Sequence, residues 1–195
     1  MAGSPGAGKT ETSKIFISLL SKIIKVNIVR IDADEIREMI PGYKGANSGY
    51  FQEAVSLGVN KIFDHVIKKK LNFLLDGTFA SWNVSQNNVD ICIRKNRQIH
   101  IIYIYQDPIL CWDLVKARER KEGRVVPLNE FVDEFFNAKE NVIKIKNIYK
   151  EKINLSLIIK GYDNNFDKYY ENIDNIDNYT KIDYNKESLL YRLKI

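Results

Sequence analysis

Near its start the chain carries Gly3-Ser4-Pro5-Gly6-Ala7-Gly8-Lys9-Thr10, a GxxxxGK[ST] run with a helical pattern directly behind it. This run constrains the fold more than any other feature. Its glycines let the backbone take positive φ, so successive N–H groups can turn toward phosphate oxygens. A helix starting at Lys9 adds its positive end to the same place. Lys9 is the point charge for the β- and γ-phosphates, and Thr10 offers a hydroxyl to Mg²⁺. Gly3, Ser4, Pro5, Gly6, Ala7, Gly8, Lys9, Thr10 and, in the first helical turn, Glu11 are therefore the candidate nucleotide-binding residues, with ATP and Mg²⁺ as expected ligands. Such a loop normally follows a strand, yet only Met1 and Ala2 precede it. The expectation is a sheet whose first strand is missing, with the true start upstream of Met1.

The remaining periodicity alternates helix and strand. Helical spacing covers 9–24 (Ile15, Phe16, Leu19, Leu20, Ile23), about 34–40, 51–70, about 81–95, 107–120 and 128–151. Short apolar runs at 26–32, 71–76, 98–105 and 153–159 read as strands. Asp107-Pro108 reads as a helix cap followed by proline in the first turn. Strands separated by helices imply βαβ units. The expected fold is a three-layer α/β/α P-loop domain over residues 1–160 with a mostly parallel sheet. Residues 161–195, rich in Asn, Asp, Tyr and Lys, read as a loosely packed polar extension with a short helix near 187–193.

Strand-end residues in an open parallel sheet face the ligand crevice, which singles out two segments. In Asp32-Ala33-Asp34 the second acid can accept a proton from an attacking hydroxyl, or it can simply cap the next helix. In Asp76-Gly77-Thr78 the carboxylate and hydroxyl can hold Mg²⁺ through water or substrate hydroxyls, or can mark a plain turn. Arg118, Arg120 and Arg124 flank a Glu-Gly break before Pro127. Guanidinium forks suit phosphate oxygens, and a helix–loop–helix carrying them reads either as a closing lid or as an exposed charged helix end.

Composition narrows the partners. Lys and Arg number 30 against 25 Asp and Glu, giving a net charge of +5 that favours anionic ligands. The tyrosines at 169, 170, 179 and 184 cluster in the polar tail rather than along a basic face, so nucleic acid is not expected. Two isolated cysteines, Cys92 and Cys111, read as buried free thiols in a reducing compartment. There is no run of about 18 apolar residues and no signal-peptide pattern. A cytoplasmic location away from membranes is expected.

Four segments taken together, AGSPGAGKTETSK, IDADEIREMIPGY, LLDGTFAS and KARERKEGRVVP, resemble the zeta toxin family of P-loop kinases, in the family's order and over residues 2–160. The resemblance implies ATP-dependent phosphorylation of the 3′-hydroxyl of a UDP-N-acetyl amino sugar such as UDP-N-acetylglucosamine, and a small antitoxin partner. It implies Lys9 and Thr10 as the phosphate-loop pair and Asp34 as general base. Asp76 stands where the prototype has glutamate, Thr78 matches the following threonine, and Arg118 and Arg124 match the lid arginines, with Arg120 an alternative to Arg118. Two other readings stay open: a P-loop phosphotransferase with a different acceptor, and a non-catalytic or truncated nucleotide-binding module.

Overall fold

The computed structural model describes residues 1–163 and 165–194. The chain divides into two compact units, one comprising 1–8, 78–115 and 126–195, the other 9–77 and 116–125.

The first unit is built on β3 (Ile99–Tyr105) and β4 (Ile153–Lys160), paired in parallel with Ile99 opposite Ile153 and Tyr105 opposite Ile159. Their inward residues Ile101, Tyr103, Leu155 and Leu157 are buried beneath α4 (Trp82–Arg94) and α6 (Leu128–Tyr149), which contribute Val89, Ala138, Val142 and Ile145. Near-continuous apolar runs such as QIHIIYIY suit strands covered on both faces. Asp107 caps α5 (Pro108–Glu122) as its sequence foretells, accepting from the amide of Ile109 at 2.9 Å and that of Leu110 at 3.3 Å. Ala2, directly ahead of the phosphate loop, also pairs: its amide donates to the Ile102 carbonyl and its carbonyl accepts from the Ile104 amide, both at 2.9 Å. Thus a single parallel bridge to Tyr103 stands where the motif calls for a strand.

The polar tail carries the short helix expected near 187–193 but is otherwise more structured than its sequence reading. Phe166–Tyr170 form β5, antiparallel to β4, and α7 (Lys186–Lys194) follows. Ile173, Ile176 and Leu189 are buried, so the segment is packed rather than loose. Its apolar residues are too sparse to show periodicity, yet each of these three is placed inward.

The second unit holds α1 (Lys9–Ile24), β1 (Ile28–Asp32), α2 (Ala33–Glu38), α3 (Gln52–Lys68) and β2 (Asn72–Asp76). The strands pair in parallel from Ile28 opposite Asn72 to Asp32 opposite Asp76. Ile31, Leu74, Val55, Phe63 and Val66 are buried, and the Phe63 and Phe73 rings meet edge to face at 5.5 Å. The α2 helix is shorter than its pattern suggests and ends well before Pro41, while a 3-10 turn over Ser48–Phe51 leads into α3. The apolar stripe Ile15, Leu19 and Ile23 of α1 is exposed, whereas its small polar residues Thr12 and Ser13 are buried. The reason for Ser13 lies in the acidic cluster described below.

The packing of the tail predicts a stability effect. Leu189→Ala removes a fully buried side chain, and such truncations cost about 2–5 kcal/mol. Urea unfolding should show a loss in that range, whereas a loose tail would leave the midpoint unchanged.

Candidate functional site

The phosphate loop lies in the first unit up to Gly8. Gly3, Gly6 and Gly8 have φ of +142°, +77° and +74°, values that favour glycine. Space reinforces conformation. A Cβ on Gly3 would lie 2.5 Å from the Ile104 carbonyl oxygen, and one on Gly6 would lie 2.2 Å from that of Cys111. The loop therefore rests backbone to backbone on the end of β3 and the start of α5. Ser4 and Ala7 are buried in it, and the Ser4 hydroxyl donates to the Cys111 sulfur at 3.3 Å. Both cysteines are buried free thiols, as their sequence setting suggests. That Cys111 underlies the loop is not visible in sequence. Thr78 also belongs here: its carbonyl accepts from the Gly3 amide at 3.1 Å, and its hydroxyl accepts from the Ala80 amide at 3.3 Å.

In the second unit, Lys9, Thr10 and Glu11 form the first turn of α1, with Lys9 and Thr10 half-buried and Glu11 exposed. Where β1 ends, Asp32 caps α2: its Oδ1 accepts from the Asp34 amide at 2.8 Å. Capping therefore falls to Asp32, and Asp34 lies inside the first turn with its carboxylate directed elsewhere. Three guanidiniums hold it. Arg37 donates to Oδ1 at 2.5 Å, Arg118 to Oδ2 at 2.9 Å, and Arg124 also to Oδ1. Burial alone would push the Asp34 carboxyl up, but Arg124, Arg118 and Arg37 outweigh it and hold the group below the usual carboxylate range.

The three arginines around the Glu122-Gly123 break thus separate by their contacts. Arg118 and Arg124 converge on Asp34. Arg120 is exposed two residues along the helix, a spacing that faces away, and is not among the guanidiniums on Asp34. Arg37 joins them because a residue three positions after Asp34 lies on the same helix face; its other nitrogen donates to Gln52 Oε1 at 2.9 Å. Gly123 turns the chain after α5 with φ +74°. The loop after α2 meets this turn at Gly45, φ +68°, where a Cβ would lie 2.0 Å from the Glu122 carbonyl oxygen. Neither contact could be anticipated from sequence spacing.

A second cluster adjoins the first. Arg30 donates to Asp76 Oδ2 at 2.6 Å, to Ser13 Oγ at 2.9 Å, and to Asp32 and Glu35. Ser13 Oγ in turn donates to Asp76 Oδ2 at 2.8 Å. Burial pushes the Asp32 carboxyl up despite the Asp34 amide and Arg30, which act in the opposite direction. Sequence reasoning reaches Asp76 here but not Arg30 or Ser13.

A model of the zeta toxin family matches residues 1–182. The chain belongs to the zeta toxin family. Its fold is also that of a solved structure from work on the PezAT chromosomal toxin-antitoxin system of the human pathogen Streptococcus pneumoniae. That likeness has a TM-score of 0.55 and 21% identity, and covers 86% of this chain and 68% of the other. No curated protein matches the sequence. This zeta toxin therefore has a mixed α/β, P-loop kinase-like fold. No helix among the described residues is long and apolar enough to cross a membrane.

The ion pairs on Asp34 imply a pH dependence. Its folded pKa is lowered, so their stabilisation is complete above the unfolded value of about 3.9 and is lost as pH falls through the folded value. The melting-temperature advantage of wild type over Asp34→Asn should be steady above about pH 5 and close below about pH 4. Thermal melts of both proteins across that range measure it.

Proposed function

We propose that this zeta toxin family member transfers the γ-phosphoryl group of ATP to an alcohol, the 3′-hydroxyl of a UDP-N-acetyl amino sugar. The observation that carries this reading is the Asp34 carboxylate gripped by Arg118 and Arg124 from the lid. A carboxylate that can take a hydroxyl proton, next to cations that can pair with a phosphoryl group, is what such a transfer needs.

The proposed roles follow from the residues. The amides of Gly3–Gly8 cradle the triphosphate, and Lys9 neutralises its outer phosphates. Mg²⁺, when bound, supplies further charge neutralisation at the phosphate oxygens, and Thr10 is the side chain offered to it. Asp34 orients the acceptor hydroxyl and takes its proton. The freed oxygen forms the new bond to the γ-phosphorus as the bond to the β–γ bridging oxygen breaks, and ADP departs with that electron pair. Arg118 and Arg124 stabilise the charge spread over the transferred group. When those guanidiniums move to phosphate oxygens, Asp34 loses two of the cations that suppress its basicity, so it becomes a better proton acceptor as the acceptor alcohol is placed. A lid that closes also excludes water, which would otherwise compete as acceptor. By the same reading, a small antitoxin protein would act by covering the nucleotide-binding loop.

Incubation with ATP, Mg²⁺ and UDP-N-acetylglucosamine should give a phosphorylated sugar nucleotide by mass spectrometry. Asp34→Asn should lower kcat by about 10²–10⁴-fold, the range for loss of a general base. ATP turnover with a different alcohol phosphorylated from a panel of nucleosides and sugars would replace the acceptor assignment. No ATP-dependent transfer to any acceptor would end the kinase reading.

A further inference from the structure

We propose that Arg30 is a positioning residue: an internal cation between Asp32 and Asp76 that fixes where Asp34 stands. The inference rests on Asp34 being the proton acceptor.

An arginine in the middle of a short parallel strand is out of place by composition. Its neighbours Val29 and Ile31 are apolar, and its own side chain is only 10% exposed. A guanidinium so placed is tolerated only when its donors are satisfied by anions. Here the fork has four partners: Nη2 serves Asp32 and Asp76, Nη1 serves Glu35, and Nε serves Ser13. Lysine has one nitrogen and could not reproduce this spread.

The strand register explains why a cation is needed. Asp32 and Asp76 are direct neighbours across the parallel pair, and both are buried. Two adjacent buried carboxylates repel each other strongly unless a cation stands between them. Arg30 supplies that charge from two residues earlier on β1, the spacing that returns a side chain to the same face.

The path to Asp34 is short. Asp32 uses one oxygen for Arg30 and the other for the Asp34 amide. Glu35, the next residue, is held by the same guanidinium. Arg30 therefore grips both sides of Asp34, and through Ser13 ties the grip to α1, the helix that carries Lys9 and Thr10. Asp76 is held in the same grip through Oδ2, which accepts from both Arg30 and Ser13.

Arg30→Met and Arg30→Lys test the assignment with two readouts. In steady-state kinetics, Arg30→Met should lower kcat by about 10²-fold, the scale of a small misplacement of a reacting group. The acceptor KM should change by less than about threefold, and the acidic limb of the kcat–pH profile should move. Arg30→Lys, which keeps the charge and the fold, should recover part of kcat. Hydrogen exchange read by mass spectrometry should show faster exchange over 32–38 in both variants, with α3 unchanged. Wild-type kcat in Arg30→Lys together with unchanged exchange overturns the proposal. So does a fall in kcat/KM carried by KM alone. If the wild-type protein transfers no phosphate, the functional reading falls while the exchange experiment still decides whether Arg30 orders the start of α2. If Arg30→Met does not fold, Arg30→Lys carries both measurements.

Discussion

Four carboxylates and four guanidiniums meet where β1 and β2 end: Asp32, Asp34, Glu35 and Asp76 with Arg30, Arg37, Arg118 and Arg124. The innermost of them, Asp32, Asp76, Arg30 and Arg37, could not be sheltered from water without partners of opposite charge. Removing one partner of a buried pair typically costs about 3–5 kcal/mol, several times the roughly 1 kcal/mol contributed by a helix cap. The α2 helix has only six residues, far too few to persist on its own propensity. What holds it is its packing against α3 together with the charge balance at its first turn, so the same interactions that would perform chemistry also help to shape the backbone that presents them.

The phosphate loop follows a different logic. Its form depends on the absence of side chains rather than on charge. Gly3 and Gly6 lie so close to the carbonyls of Ile104 and Cys111 that a single methyl group would collide with them. The loop is consequently set by the end of β3, the strand that carries Tyr103 into the core, and by the opening turn of α5.

Much of this was legible in the sequence, for identifiable reasons. The loop announces itself because glycine positions and the following lysine and threonine are dictated by local geometry. Asp34, Asp76, Arg118 and Arg124 could be singled out because strand ends and a break between helices are local features too. Arg30 and Ser13 could not, since a charged residue within a strand acquires meaning only from the register that brings Asp76 beside Asp32. The same holds for β5 and for Ile173, Ile176 and Leu189, whose burial is decided by partners far away in the chain. The exposed stripe on α1 shows the converse: helical spacing of apolar residues reports a helix, but not which face is covered. Asp32, read as merely the first acid of its segment, proved to be the cap, and that releases Asp34 for other partners.

The sulfur of Cys111 lies directly under the glycine turn, touched by the Ser4 hydroxyl and enclosed on every side. No alkylating reagent can reach it while the turn is seated. A thiol so enclosed reacts only when the packing around this turn opens, so its modification rate would report how often that local opening occurs.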